Sequence, residues 1–280
     1  MNKHREYKSF YGRPGGGEGE RCKYPVRLDL YGCGCQHDCK YCYAKQLLKF
    51  RKLWDPVNPR VADMAKVAKR IPKLEGVTRL GGLTDCLMPL EREVKNTWRT
   101  LGLMAEHRKE YLIVTKSSMI ASADYLRVLD RELAHIQISI STTSEVVANV
   151  YEKASPVAER IAAAEMLESM GYDVSLRLSP LVPGLTDYDV VNAVKVDKVL
   201  VEFLRGTNAQ LLWYEPFEIT KTRDMIRAGG YWHFALDVKK AEIAKIKGHT
   251  VSVCEDVPEH YAYWRENVNR KATDCCNLRR

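Results

Sequence analysis

Short runs with a two-residue hydrophobic period alternate along this chain with longer stretches whose apolar residues recur every three or four positions. In residues 135–141, Ile136, Ile138 and Ile140 fall on one side and Gln137, Ser139 and Ser141 on the other, because strand side chains switch faces at every residue. Residues 173–179 repeat the pattern, with Val174, Leu176 and Leu178 set against Ser175, Arg177 and Ser179. Residues 26–30, 77–80, 111–115 and 210–214 read as four more strands. Helical periodicity fills the intervals at about 44–53, 61–71, 91–106, 121–133, 157–170 and 187–194. Six strands separated by helices predict an α/β fold with a parallel sheet, a partial (β/α)6 barrel. The isoleucine and leucine faces then pack under helices, and the polar faces turn into a lumen that can bind a ligand. An exposed sheet edge would show the same alternation.

The expected organisation is a flexible arm over 1–24, a barrel over 25–216 and a C-terminal extension over 217–280. The arm carries Pro14-Gly15-Gly16-Gly17-Glu18-Gly19, a composition that leaves the chain flexible. At 280 residues the chain buries a full core without a second catalytic domain. No long apolar run is present and the first residues are charged, so the expected location is cytoplasmic, with no membrane partner. Nine cysteines in a reducing compartment read as metal ligands or catalytic thiols rather than disulfides. The net charge of +8 favours an anionic partner such as nucleic acid, although the excess is diffuse.

The strongest chemical signal is Cys35, Cys39 and Cys42 in Cys-Gln-His-Asp-Cys-Lys-Tyr-Cys. Three thiolates at this spacing suit a four-iron ([4Fe-4S]) cluster with one iron left open for a ligand. The alternative is a structural zinc site with His37 as fourth ligand, but His37 lies inside the loop, where it would strain a tetrahedron. About forty residues on, the second strand ends in Gly81-Gly82-Leu83-Thr84-Asp85. The glycines allow close approach to the backbone, and Thr84 and Asp85 suit an ammonium group.

The C-x3-C-x2-C spacing with Tyr41 before the last cysteine resembles the radical S-adenosylmethionine (SAM) superfamily. Further segments narrow the resemblance to its spore photoproduct lyase-like branch: Leu83-Thr84-Asp85 with Pro89 and Glu91, Val114-Thr115-Lys116-Ser117, Ile138-Ser139-Ile140-Ser141, Tyr151-Glu152 with Pro156 and Arg160, and Leu178-Ser179-Pro180 with Pro183-Gly184. The resemblance covers roughly residues 26–190. It implies a cluster on Cys35, Cys39 and Cys42, SAM chelated to the open iron, and a 5′-deoxyadenosyl radical that takes hydrogen from carbon. It also implies Tyr41 near the adenine, and Gly81, Gly82, Thr84 and Asp85 around the SAM amino group. Ser139 and Ser141 would meet its ribose or carboxylate, and Arg177 the carboxylate. Lys116 would meet SAM or an anionic substrate, or be a solvated rim lysine. Glu152 and Arg160 are read as a structural ion pair. An electron donor such as flavodoxin or ferredoxin is implied as partner.

The implied substrate is a thymine-derived base in DNA, which must be flipped or single-stranded to reach a buried radical. Tyr43 follows the last cluster cysteine as in the lyases and is a candidate for the radical relay. The lyases carry a hydrogen-donating cysteine where this chain has Gly82. Cys86 is the nearest thiol and could replace it if turned to the lumen, and a missing donor favours isomerase-type base modification over lyase-type repair. Trp213, Tyr214, Tyr231 and Trp232 are candidates to stack on a base, with core packing as the alternative. Glu215 reads as a substrate contact or a salt-bridged rim residue. Cys254, Cys275 and Cys276 are read as ligands of an auxiliary iron–sulfur cluster, a thiol donor, or inert. Two other classes stay open: radical modification of a peptide or small metabolite, and a non-catalytic iron–sulfur protein that binds nucleic acid.

Overall fold

A computed structural model describes residues 4–13, 26–211, 224–269 and 275–278. Eight strands form the large sheet in chain order: β1 (Tyr11–Gly12), β2 (Val26–Leu28), β3 (Thr78–Leu80), β4 (Tyr111–Thr115), β5 (Ala134–Ile140), β6 (Asp173–Leu181), β7 (Lys198–Phe203) and β8 (Thr250–Cys254). From β2 to β8 every neighbouring pair is parallel, while β1 runs antiparallel to β2. The two edges do not meet, so the barrel is partial, as its alternating elements predict.

The alternation holds in space. Ile136, Ile138 and Ile140 of β5, and Val174, Leu176 and Leu178 of β6, lie in the hydrophobic core under the helices. On the opposite face Gln137 pairs in register with Ser175, and Ser139 with Arg177. Helix Val157–Ser169, rich in alanine, packs on this outer side, with Ala163, Ala164 and Leu167 buried. Helices Met64–Arg70 and Tyr188–Ala193 begin at Asp63 and Asp187, whose carboxylates accept the N–H groups of Ala65 and Asp189, which satisfies donors left open in a first turn.

Several expectations are corrected. The sixth parallel strand is Lys198–Phe203, not 210–214: residues 208–211 form a short helix, Asn208–Leu211, and 212–214 lie outside the described residues. The 91–106 helix breaks into Glu91–Val94 and Asn96–Glu106 at Lys95, which has φ 57°. In 121–133 only Ala123–Leu126 is α-helical, after a 3-10 turn at Ser118–Ala121. The arm expected over 1–24 is anchored in its described part: Tyr7 and Phe10 are buried, the Tyr7 N–H donates to Val61 O at 2.7 Å, and Tyr11 pairs with Leu28. Two buried aromatic side chains tie this segment down; residues 14–24 lie outside the described residues. The segment after 216 also contributes to the barrel sheet through β8, which pairs with β7 from Thr250↔Lys198 to Cys254↔Glu202.

No helix among the described residues is long and apolar enough to cross a membrane.

Candidate functional site

The three cysteines sit in a loop between β2 and β3. Gly34 is required there, because a Cβ would lie 2.0 Å from the Asp55 carbonyl oxygen. Asp55 N–H in turn donates to Cys33 O at 2.6 Å, Lys40 N–H to Tyr151 O at 2.8 Å, Lys153 N–H to His37 O at 2.7 Å, and Leu90 N–H to the Gln36 side chain at 2.5 Å. The loop is therefore clamped by three separate segments. Helix Tyr43–Phe50 starts immediately after Cys42.

Cys35, Cys39 and Cys42 open onto one cavity of about 200 Å³ at the C-terminal ends of the parallel strands. Burial pushes the Cys35 thiol up to about 12 and raises Cys39 well above the ordinary thiol value. Such thiols are proton-bound when bare and become thiolates on a metal. His37 is not placed to join them as a zinc ligand. Its Nε2 lies 3.2 Å from Asp85 Oδ2 and its Nδ1 3.3 Å from Lys153 O. Among the described residues the cavity is thus lined by three cysteines without a fourth, the donor set that a cluster with an open iron takes.

Tyr41, Tyr43, Gly82, Thr84, Asp85, Lys116, Ser139 and Arg177 line the same cavity. The Tyr43 hydroxyl donates to Gly82 O at 2.6 Å, joining the cysteine helix to the end of β3. Thr84 donates to Tyr31 O at 2.8 Å. Asp85 differs from expectation: its carboxylate is filled by the chain's own donors rather than left for an ammonium group. Thr115 Oγ1 reaches it at 2.8 Å, Lys116 N–H at 2.7 Å and Leu87 N–H at 2.8 Å. Burial alone would raise Asp85, but His37 and these donors outweigh it and hold the carboxyl below its usual value. Asp85 ties β3, β4 and the cysteine loop together.

Arg177 also has partners, donating to Gln137 Oε1 at 2.6 Å and to Glu202 Oε2 at 2.5 Å, while Ser179 donates to the same Glu202 oxygen at 2.7 Å. Glu202, on the strand that periodicity misplaced, is thus a cavity residue missed in the sequence. Arg79 and Arg205 are two others. Arg79 is legible as an inward position one residue before Leu80.

Gly81, Ser141 and Cys86 are not in the lining. Gly81 has φ +78°, and a Cβ there would meet Thr84 O at 2.7 Å, so it serves the turn that presents Thr84. Ser141, expected beside Ser139 on SAM, instead donates to Glu152 at 3.2 Å. Cys86 is fully buried in the core, with its carbonyl accepting from Thr97, rather than lining the cavity where a replacement for the donor absent at Gly82 would belong. Of the aromatics expected to stack, Tyr231 is partly exposed, while Trp232 packs on the core and donates through its indole N–H to Asn208. Trp213, Tyr214 and Glu215 lie outside the described residues.

Behind the cavity, Glu152 gathers a buried network. It accepts from the Tyr41 hydroxyl and, at 2.6 Å, from Arg160, and lies 3.3 Å from Lys116 Nζ. Lys116 also sits 5.3 Å over the Tyr41 ring. Arg160 and Glu152 are 1% exposed in their side chains, so the ion-pair reading holds and extends to Tyr41. Burial would raise Glu152, but Lys116, Arg160 and the Tyr41 hydroxyl overcome it and hold the carboxyl at about 2, against 4.5 unperturbed. A depressed native value stabilises the fold above the unfolded value and is lost as the pH falls through the native one. We expect on the order of 3 kcal/mol of stability to disappear between about pH 4.5 and pH 2. The check is urea unfolding against pH for the parent and Glu152→Gln: the two curves should converge at the acid end, and parallel curves would count against this assignment.

The chain matches the sequence profile of the Radical SAM superfamily over residues 30–196. It is 26% identical to the uncharacterized protein MJ0683 of Methanocaldococcus jannaschii over 169 residues, 56% of this chain and 61% of that protein. The match thus spans about three fifths of that relative's length. Among solved structures, a point mutant of spore photoproduct lyase superposes with a TM-score of 0.63 at 16% identity, covering 89% of this chain and 80% of that one. Spore photoproduct lyase complexed with dinucleoside spore photoproduct gives 0.58 at 15% identity, covering 94% and 78%. SuiB of Streptococcus suis gives 0.54 at 14% identity, covering 89% and 53%. These structural likenesses establish a shared fold.

Proposed function

The chain belongs to the radical SAM superfamily, and from that premise we propose that it abstracts hydrogen from a thymine-derived base presented by DNA. When bound, the cluster and SAM supply a 5′-deoxyadenosyl radical. The chain's own residues hold and shield it: Cys35, Cys39 and Cys42 ligate, Tyr41 is fixed by Glu152 beneath Lys116, and Ser139 and Thr84 offer polar atoms to the cavity.

The observation that carries the DNA reading is the set of basic side chains in the cavity. Arg79, Lys116, Arg177 and Arg205 line it; the last three have carboxylate neighbours in Glu152, Glu202 and Asp256, so the cavity offers guanidinium and ammonium donors of the kind that meet phosphate oxygens rather than a net charge. Tyr43 stands at 45% exposure in the same lining, a ring on which an extruded base can stack. The fold shared with spore photoproduct lyase, including the structure complexed with dinucleoside spore photoproduct, supports the same substrate class. Because Gly82 stands where that branch carries a hydrogen donor and Cys86 lies buried in the core, base modification by rearrangement is favoured over repair. An electron donor of the flavodoxin or ferredoxin type completes the reaction.

The test is anaerobic incubation of the reduced, reconstituted protein with SAM and a panel of DNAs. The panel holds photoproduct-bearing DNA, DNA with substituted thymines, and a blank. Mass spectrometry should find 5′-deoxyadenosine that rises with one DNA together with a new nucleoside. Deoxyadenosine indifferent to every DNA overturns the DNA substrate and turns the search to peptides and metabolites.

A further inference from the structure

A second group of cysteines lies on the inner side of the sheet, at the β8 edge. Cys254 ends β8 in register with Glu202 of β7, and register partners in a parallel pair share a face. Glu202 lines the cavity, so Cys254 also faces inward. Cys275 and Cys276 come from a separate segment and are 6% and 7% exposed. Cys275 and Cys276 form one buried cluster against which the partly buried Cys254 packs. Leu112, Val77, Val114 and Leu278 pack around the group. Lys198 of β7 donates to Asn277 O at 2.9 Å, which holds the second segment against the sheet.

We propose that Cys254, Cys275 and Cys276 hold a second metal centre through their thiolates. Filling an apolar corner needs no sulfur, whereas three soft donors brought from two segments into a dry site are the donor set that thiophilic metals take. The electrostatics agree. Arg177 lies close enough to Cys254 and Cys276, and Arg205 to Cys254, for their charges to interact. Three thiolates on a divalent ion or an iron–sulfur core leave net negative charge, which these guanidinium groups offset.

The spacing selects the kind of centre. Among the described residues only His233, Glu255 and Asp256 bring three ligand atoms within 4.8 Å of one another, and that group is already engaged: Glu255 with Lys239, Asp256 with Arg205. Neither cysteine trio is closed to the sulfur separation of about 3.8 Å that a tetrahedral zinc with 2.3 Å bonds requires. At least one sulfur pair in each trio therefore lies beyond 4.8 Å, too wide for a single zinc ion and open to the larger core of a cluster. The inference does not depend on the DNA reading, because its readout is metal content.

The test uses the full chain with Cys35→Ala, Cys39→Ala and Cys42→Ala combined, which removes the first cluster. It is reconstituted anaerobically with ferrous iron and sulfide or, in a parallel arm, with zinc alone, then desalted and assayed for metal and acid-labile sulfide. The expected result is retained iron and sulfide that vanish when Cys254→Ala, Cys275→Ala and Cys276→Ala are added. Retention of zinc alone, lost with the same three substitutions, supports a metal centre but overturns the cluster assignment. No metal in either arm overturns the proposal. Should a variant fail to fold, alkylation of the parent decides: the three thiols should resist iodoacetamide until a chelator is added, and equal labelling with and without the chelator refutes the site.

Discussion

Glu91→Ala should melt about 10 °C below the parent, a loss of about 3–5 kcal/mol. Glu91 is fully buried, and its two carboxylate oxygens receive four donors. Tyr31 and the Thr97 N–H, at 3.0 Å, reach one oxygen; Tyr125 at 2.5 Å and the Trp98 N–H at 3.0 Å reach the other. Two of these donors are in the first turn of helix Asn96–Glu106, where N–H groups lack partners within the helix and a negative charge is favoured. Alanine leaves all four donors buried without an acceptor, each costing about 1–3 kcal/mol before relaxation. Glu91→Gln keeps one acceptor oxygen but turns an amide toward donors, so its melting point should fall between the two. Calorimetry decides, and a Glu91→Ala protein within 2 °C of the parent would show that the four contacts are dispensable.

For Cys39→Ser the expected effect is the reverse, activity lost with the fold kept. Deoxyadenosine formation from SAM should fall to the level of the blank, because a cluster with an open iron cannot spare one of only three thiolates. The fold should persist because the loop does not depend on the cluster for its shape. Its contacts to Asp55, Leu90, Tyr151 and Lys153 are hydrogen bonds of the protein itself. The pair of measurements is deoxyadenosine yield and the thermal transition by circular dichroism. Sustained yield would remove Cys39 from the ligand set, and a collapsed transition would make the cluster a structural element of the loop.

The sequence was most readable where local rules act. Strict alternation in β5 and β6 identified both the core face and the polar face, since a one-residue slip would bury Gln137 and Arg177 under the helices. Cysteine spacing and the Gly-Gly turn were legible for the same reason: their chemistry lies within a few residues. What escaped depends on distant partners. Val199, Leu200 and Val201 form an apolar run too short to be told from helix by period, and its status as a strand rests on pairing with β6 and with β8 from far down the chain. With that strand went Glu202, and with Glu202 the fact that Arg177 is held by a carboxylate. Asp85 looked available for a ligand because nothing in sequence brings His37 and Thr115 to it. Ser141 followed the correct alternation but met Glu152, eleven positions later in sequence, before it could meet the cavity.

The order of the large sheet bears on how the protein is made. Each strand from β1 to β7 docks on the one synthesised just before it, so the sheet can grow as the chain leaves the ribosome. The last addition is β8, which arrives well after β7 is in place. Until Thr250 to Cys254 emerge, β7 stands as an open edge rich in valine and leucine, of the kind that recruits strands from other chains. Ribosomes stalled between Phe203 and Thr250 should therefore yield nascent chains that aggregate or bind chaperones, and a few dozen further residues should release them.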